Sequence, residues 1–158
     1  MNFFFLIPFV LLTFSCEKTQ LFPVNAEVLL EKISSFKGKN AVLVNIWALW
    51  CQPCVKEFPM IVQLNNKNED LEVIFVSADF EEQYNDVVNF LNKHNVGPLS
   101  YIKFEKDESF INGLHPSWTG SLPFTVVFGK QSGLIIDYWE GSEKLSRFNN
   151  AIENALNN

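Results

Sequence analysis

The sequence predicts an α/β fold: a mixed central sheet with helices on both faces, closed by a C-terminal antiparallel hairpin and a last helix. Three observations carry this. Two near-continuous apolar runs rich in β-branched residues, 41–47 and 72–77, read as strands covered on both faces. Segments with helical apolar spacing separate the strands, as crossovers between parallel neighbours require. Lys130-Gln131-Ser132-Gly133, between apolar runs at 124–128 and 134–140, marks a tight hairpin with glycine placed for positive φ.

Each element has a local reason. Asn25 caps a helix over 26–36, where Leu29, Ile33 and Phe36 recur at helical spacing and Gly38 closes the segment. The strand 41–47 leads straight into a helix over 51–65, and 72–77 is the second buried strand. Val87, Phe90 and Leu91 mark an amphipathic helix over 83–94, followed by a short strand at 99–104 and a helical turn at 107–112. Ser142 caps a final helix striped by Leu145, Phe148, Ile152 and Leu156.

The 158 residues suit one domain. With 47% hydrophobic and 19% charged residues and only 7 Gly and 7 Pro, a disordered or collagen-like chain is excluded. A net charge of -6 without a basic stripe argues against nucleic acid as partner. Three cysteines are too few for a disulfide scaffold, and their odd number leaves one outside any single pair.

The N-terminus accounts for the odd one. Residues 1–15 carry no charged side chain and hold five of the sixteen Phe. Such a run is too short for a resident transmembrane helix but suits an export signal. Leu12-Thr13-Phe14-Ser15-Cys16 resembles a bacterial lipoprotein signal, with leucine displaced to -4 and no basic n-region. A plain secretory signal or an N-terminal anchor with an incidental Cys16 are the alternatives, and all three place the domain outside the cytoplasm. The chain then divides into a signal at 1–15, lipidated Cys16 with a tether to residue 24, and a domain over 25–158.

Cys51-Gln52-Pro53-Cys54 falls where a buried strand ends and a helix begins. Free backbone N–H groups and the helix dipole stabilise a thiolate there, so Cys51 is the nucleophile. Cys54, three residues on and one turn deeper, is the resolving thiol, and Pro53 fits a first turn where its missing N–H costs nothing. Zinc lacks ligands, since only His94 and His115 remain, without matching spacing. A structural disulfide across so short a gap constrains little chain entropy. A peroxidatic site is disfavoured, because peroxiredoxins place Thr where Ala48 stands and need an arginine, and this chain has only Arg147.

The string Val44-Asn45-Ile46-Trp47-Ala48-Leu49-Trp50-Cys51-Gln52-Pro53-Cys54, followed by Glu57-Phe58-Pro59, resembles the active-site segment of the thioredoxin superfamily, specifically its TlpA-like and ResA-type extracytoplasmic branch. The similarity spans roughly 25–157. A second match, Trp118 to Thr125, aligns with the family's cis-proline loop, which implies a cis bond at Leu122-Pro123 and extended substrate paired along the backbone before it.

The resemblance implies a thiol–disulfide oxidoreductase that needs no cofactor beyond the Cys51–Cys54 disulfide. It acts as a monomer on disulfides of exported proteins, and a membrane thiol donor of the DsbD or CcdA type recycles it. Cytochrome c maturation or repair of mis-oxidised proteins are the settings. An oxidant or isomerase, and a peptide-binding module with dispensable cysteines, stand as alternatives. Two departures matter. Where thioredoxins keep a buried Asp this chain has Asn45, which cannot take up the Cys54 proton, so Glu57, matching a glutamate of the ResA type, is the candidate base. Its alternative is a solvated first-turn glutamate. The dipeptide Gln52-Pro53 leaves the reduction potential open. Trp50 either shields the thiols and contacts partners or belongs to the core, and Trp118 and Trp139 belong to the core or to groove walls.

Overall fold

A computed structural model describes residues 19–97 and 100–158. The signal, Cys16 and the beginning of the tether lie outside the described residues. The elements are β1 (Leu21–Val24), α1 (Ala26–Ser34), β2 (Ala41–Trp47), α2 (Gln52–Lys67), β3 (Leu71–Ser77), α3 (Tyr84–Lys93), β4 (Ser100–Lys103), α4 (Asp107–Leu114), β5 (Phe124–Phe128), β6 (Ile135–Glu140) and α5 (Leu145–Leu156). A single 3₁₀ turn, Glu81–Gln83, precedes α3.

The six strands form one sheet in the order β1-β4-β3-β2-β5-β6. The first four run parallel to one another, β5 runs antiparallel to β2, and β6 runs antiparallel to β5. This is the predicted mixed sheet. Alternation along β2 shows how it is covered. Leu43 and Trp47 face α2, α3 and α5, packing with Phe58, Leu91 and Phe148. Val42, Val44 and Ile46 face α1 and α4, packing with Leu29, Ile33 and Phe110. Asn45 shares the odd parity of Leu43 and Trp47, so the only polar residue of β2 is aimed at α2. Phe58 centres the first layer, its ring 4.7 Å from Trp47, 4.1 Å from Phe75 and 5.0 Å from Phe90.

Local chemistry sets the boundaries. Asn25 Oδ1 accepts the Val28 N–H at 2.8 Å, the expected cap of α1. Gly38 and Gly133 have φ of +77° and +66°, as their turns need.

Two expectations are corrected. The segment read as a tether contains β1, whose Leu21 and Val24 are buried while Phe22 and Pro23 are exposed. Four residues with an internal proline give no periodic signal, and Pro23 is tolerated because β1 is an edge strand. Ser142 does not cap α5, which begins at Leu145 after Lys144. Gly141, at φ +83°, turns the chain, and the Glu143 N–H is engaged by the Glu57 carboxylate instead of a capping turn.

Candidate active site

Parallel strands ending together put the site at the C-terminal end of β2. Cys51 is the N-cap residue of α2, with extended backbone at φ -87° and ψ 95°, and its Sγ accepts the Cys54 N–H at 3.3 Å. The two cysteines are disulfide-bonded, with Cα atoms 5.3 Å apart. Cys51 is 6% exposed and Cys54 only 1%, so the first cysteine is the more accessible residue of the pair. Pro53 sits in the first turn of α2, where no partner for an N–H is missing. The Leu122-Pro123 bond is cis, and Pro123 is buried just ahead of β5.

Glu57 lies one turn beyond Cys54 and is 6% exposed, which differs from a solvated first-turn glutamate. Its Oε1 accepts from Asn45 Nδ2 at 3.4 Å and its Oε2 accepts the Glu143 N–H at 3.2 Å. Burial dominates these bonds and raises its pKa to about 7. Asn45 also donates to Thr125 Oγ1 at 3.0 Å, tying β2 to the strand that follows the cis-proline. One side of Glu57 opens onto a cleft of about 520 Å³ lined by Gln52, Pro53, Lys56, Met60, Ser142 and Glu143. A carboxyl titrating near neutrality and communicating with solvent can take and release a proton.

Trp50 is 59% exposed and is not a core residue. It lines a shallow cleft with Ala78, Trp118 and half-buried Leu122, so the predicted substrate-contact pair shares one surface beside the disulfide. Trp118 stacks on Phe124 and donates to the Ser121 carbonyl at 3.0 Å, and Trp139 packs edge-on against Phe148. His94 and His115 end α3 and α4, against Phe90 and Tyr138. Among the described residues no group of His, Cys, Asp or Glu is arranged to hold a metal ion.

Sequence reasoning missed Asp79. It is 3% exposed, and both its carboxylate oxygens accept the Leu49 N–H at 3.0 Å, while Ser77 Oγ donates to Oδ2 at 2.8 Å. Asp79 therefore clamps the loop that delivers Trp50 and Cys51, and its pKa is raised by burial. No signal in the sequence marks it, because its place follows from the parallel register that sets Trp47 opposite Ser77.

The sequence profile of the AhpC/TSA family matches residues 18–146. Thiol-disulfide oxidoreductase ResA of Bacillus thuringiensis is 34% identical over 76 residues, 48% of this chain and 43% of the relative. ResA of Oceanobacillus iheyensis is 29% identical over 119 residues, 73% of this chain and 57% of the relative. The chain thus spans less than two thirds of the length of these curated relatives. A thioredoxin-family thiol:disulfide interchange protein from Chlorobium tepidum superposes with a TM-score of 0.63 at 24% identity, covering 78% of this chain and 83% of its own, a likeness of fold.

Proposed function

Because the chain belongs to the AhpC/TSA family, whose profile spans residues 18–146, we propose that its thioredoxin-like fold serves a thiol–disulfide oxidoreductase that reduces disulfides of exported proteins. The observation that carries this reading is Cys51 at the N-cap of α2, accepting the Cys54 N–H, with a buried partner cysteine one turn on. The resemblance to ResA proteins supports it.

In the reduced protein the Cys51 thiolate attacks one sulfur of a substrate disulfide. A Cys51–substrate bond forms, and the other substrate sulfur leaves as a thiolate that takes a proton from solvent. Glu57, as carboxylate, takes the Cys54 proton; the Cys54 thiolate then attacks Cys51 Sγ. The intramolecular disulfide forms, the mixed disulfide breaks, and the second substrate sulfur leaves as a thiolate that takes a proton from solvent, to which Glu57 releases the proton it took from Cys54. Two electrons pass from the protein dithiol to the substrate, and a membrane thiol donor restores them. Asn45 orients Glu57, while Pro123, Leu122 and Trp50 present the substrate to Cys51.

A peroxidatic role is disfavoured within the family. Ala48 stands three residues before Cys51, and the sole arginine, Arg147, is bonded to Asp137 and lies over Trp139 at 4.6 Å. The uncharged run 1–15 and the Ser15-Cys16 junction support export and lipid attachment at Cys16, testable by loss of fatty-acid labelling in Cys16→Ser.

Trapping tests the activity. Cys54→Ser is expected to accumulate mixed disulfides through Cys51 with exported proteins, and the Cys51→Ser, Cys54→Ser double variant none. Equal recovery of partners by both would point to a binding module instead.

A further inference from the structure

Among the described residues three aromatic rings are more than half exposed: Trp50 at 59%, Phe80 at 72% and Phe104 at 70%. They share one surface. Trp50 and Phe80 line a cleft of about 130 Å³ with Lys103 and Leu122, and Phe104 lines a neighbouring cleft of about 200 Å³ with Lys103, Tyr84 and Pro23. Lys103 is a wall of both, so an aromatic strip runs from the residue before Cys51, across the C-terminal ends of the parallel strands, to edge strand β1. Exposed apolar surface of this kind marks an interaction site. Each cleft is smaller than the ~300–1,000 Å³ of small-molecule sites and suits single side chains of a polypeptide.

Charge selects the occupant. Segments 80–84 and 103–108 hold Glu81, Glu82, Glu105, Asp107 and Glu108 against Lys103 and Lys106, so eleven residues carry half of the chain's net charge of -6. Lys103 is not free, since its Nζ pairs with Asp107 at 2.7 Å and donates to the Glu105 carbonyl at 2.8 Å. A second copy of this strip would meet like charge, and so would an anionic lipid surface.

Resting on the oxidoreductase reading, we propose that the Trp50–Phe80–Phe104 strip docks an extended, cationic segment of the substrate polypeptide that carries bulky apolar side chains near its disulfide. The strip then favours unfolded or loosely folded chains, whose apolar residues are accessible, over compact ones.

The test compares the reduced protein on two disulfide-linked peptides of equal length, one with Phe and Lys flanking its cysteine and one with Ser and Glu, and on hydroxyethyl disulfide, too small to reach the strip. The cationic, apolar peptide is expected to react about tenfold faster at low salt, with an advantage that shrinks as salt rises. Phe80→Ala with Phe104→Ala, both surface changes, is expected to remove most of that advantage and leave hydroxyethyl disulfide reduction unchanged. Equal preference in this double variant and the wild type overturns the docking proposal while the oxidoreductase reading stands. If the wild type reduces none of the three, the oxidoreductase reading fails first. A dimer in sedimentation that the double variant abolishes would assign the strip to self-association and overturn the proposal.

Discussion

Asn45 Nδ2 and Glu57 Oε1 lie 3.4 Å apart across the seam between β2 and α2. The amide on the strand donates to the carboxyl on the helix, so the ionisable member of the pair sits on α2 rather than on β2. Alternation along β2 and the one-turn step from Cys54 to Glu57 bring the two together. What the pair does depends on the Glu57 proton, and that can be measured.

Stability of the oxidised protein is expected to fall as pH rises. Burial raises the Glu57 pKa from 4.5 to about 7, so the folded state holds a proton that the unfolded chain has released. The contribution is full below pH 4.5 and lost as pH passes about 7. The full shift corresponds to roughly 3 kcal/mol as an upper bound. Glu72 and Asp79, also raised by burial, act with the same sign. Urea midpoints between pH 4 and 8.5 should therefore show a shallower decline in Glu57→Gln than in the wild type. Identical slopes would remove Glu57 from the account.

The same carboxyl predicts a kinetic effect. With Gln at position 57, resolution of the mixed disulfide by Cys54 should slow by about 10²-fold and lose its rise near neutral pH. Attack of Cys51 on a small disulfide in a Cys54→Ser background should be unaffected by the same change. Stopped-flow measurement of the two half-reactions separates them.

Asp79→Ala should loosen the approach to the cysteines. It strands the Leu49 N–H, a cost of about 1–3 kcal/mol, and should accelerate hydrogen exchange at the Leu49 amide relative to the centre of β2. Asp79→Asn keeps an acceptor and should recover part of the loss. Unchanged exchange in Asp79→Ala would show that the loop holds its place without the clamp.

Phe58→Ala is expected to cost about 3–5 kcal/mol, because its ring is fully buried among Trp47, Phe75 and Phe90. Chemical denaturation reads it directly.

The buried strands, the capped first helix and the hairpin were legible because each has a local cause: a β-branched run, an asparagine cap, a glycine at positive φ. The placement of the cysteine pair was legible because it depends on where one strand ends and one helix begins. Strand β1 was not, since its evidence is a pairing with Ser100 to Lys103 some eighty residues away. The environment of Glu57 was also out of reach. Whether Glu57 is solvated or buried depends on Asn45 and on the Glu143 amide, 86 residues distant, that sequence spacing does not bring near. Asp79 depends in the same way on the register between β2 and β3.

Cys51 and Cys54 are expected to form a reversible couple that reduces substrate. Equilibrating the pair against defined thiol buffers and recording its potential tests this most directly. The expected value is about -270 mV, as reducing as thioredoxin. A value near -120 mV, that of a strong oxidant, or the absence of any reversible couple would contradict it.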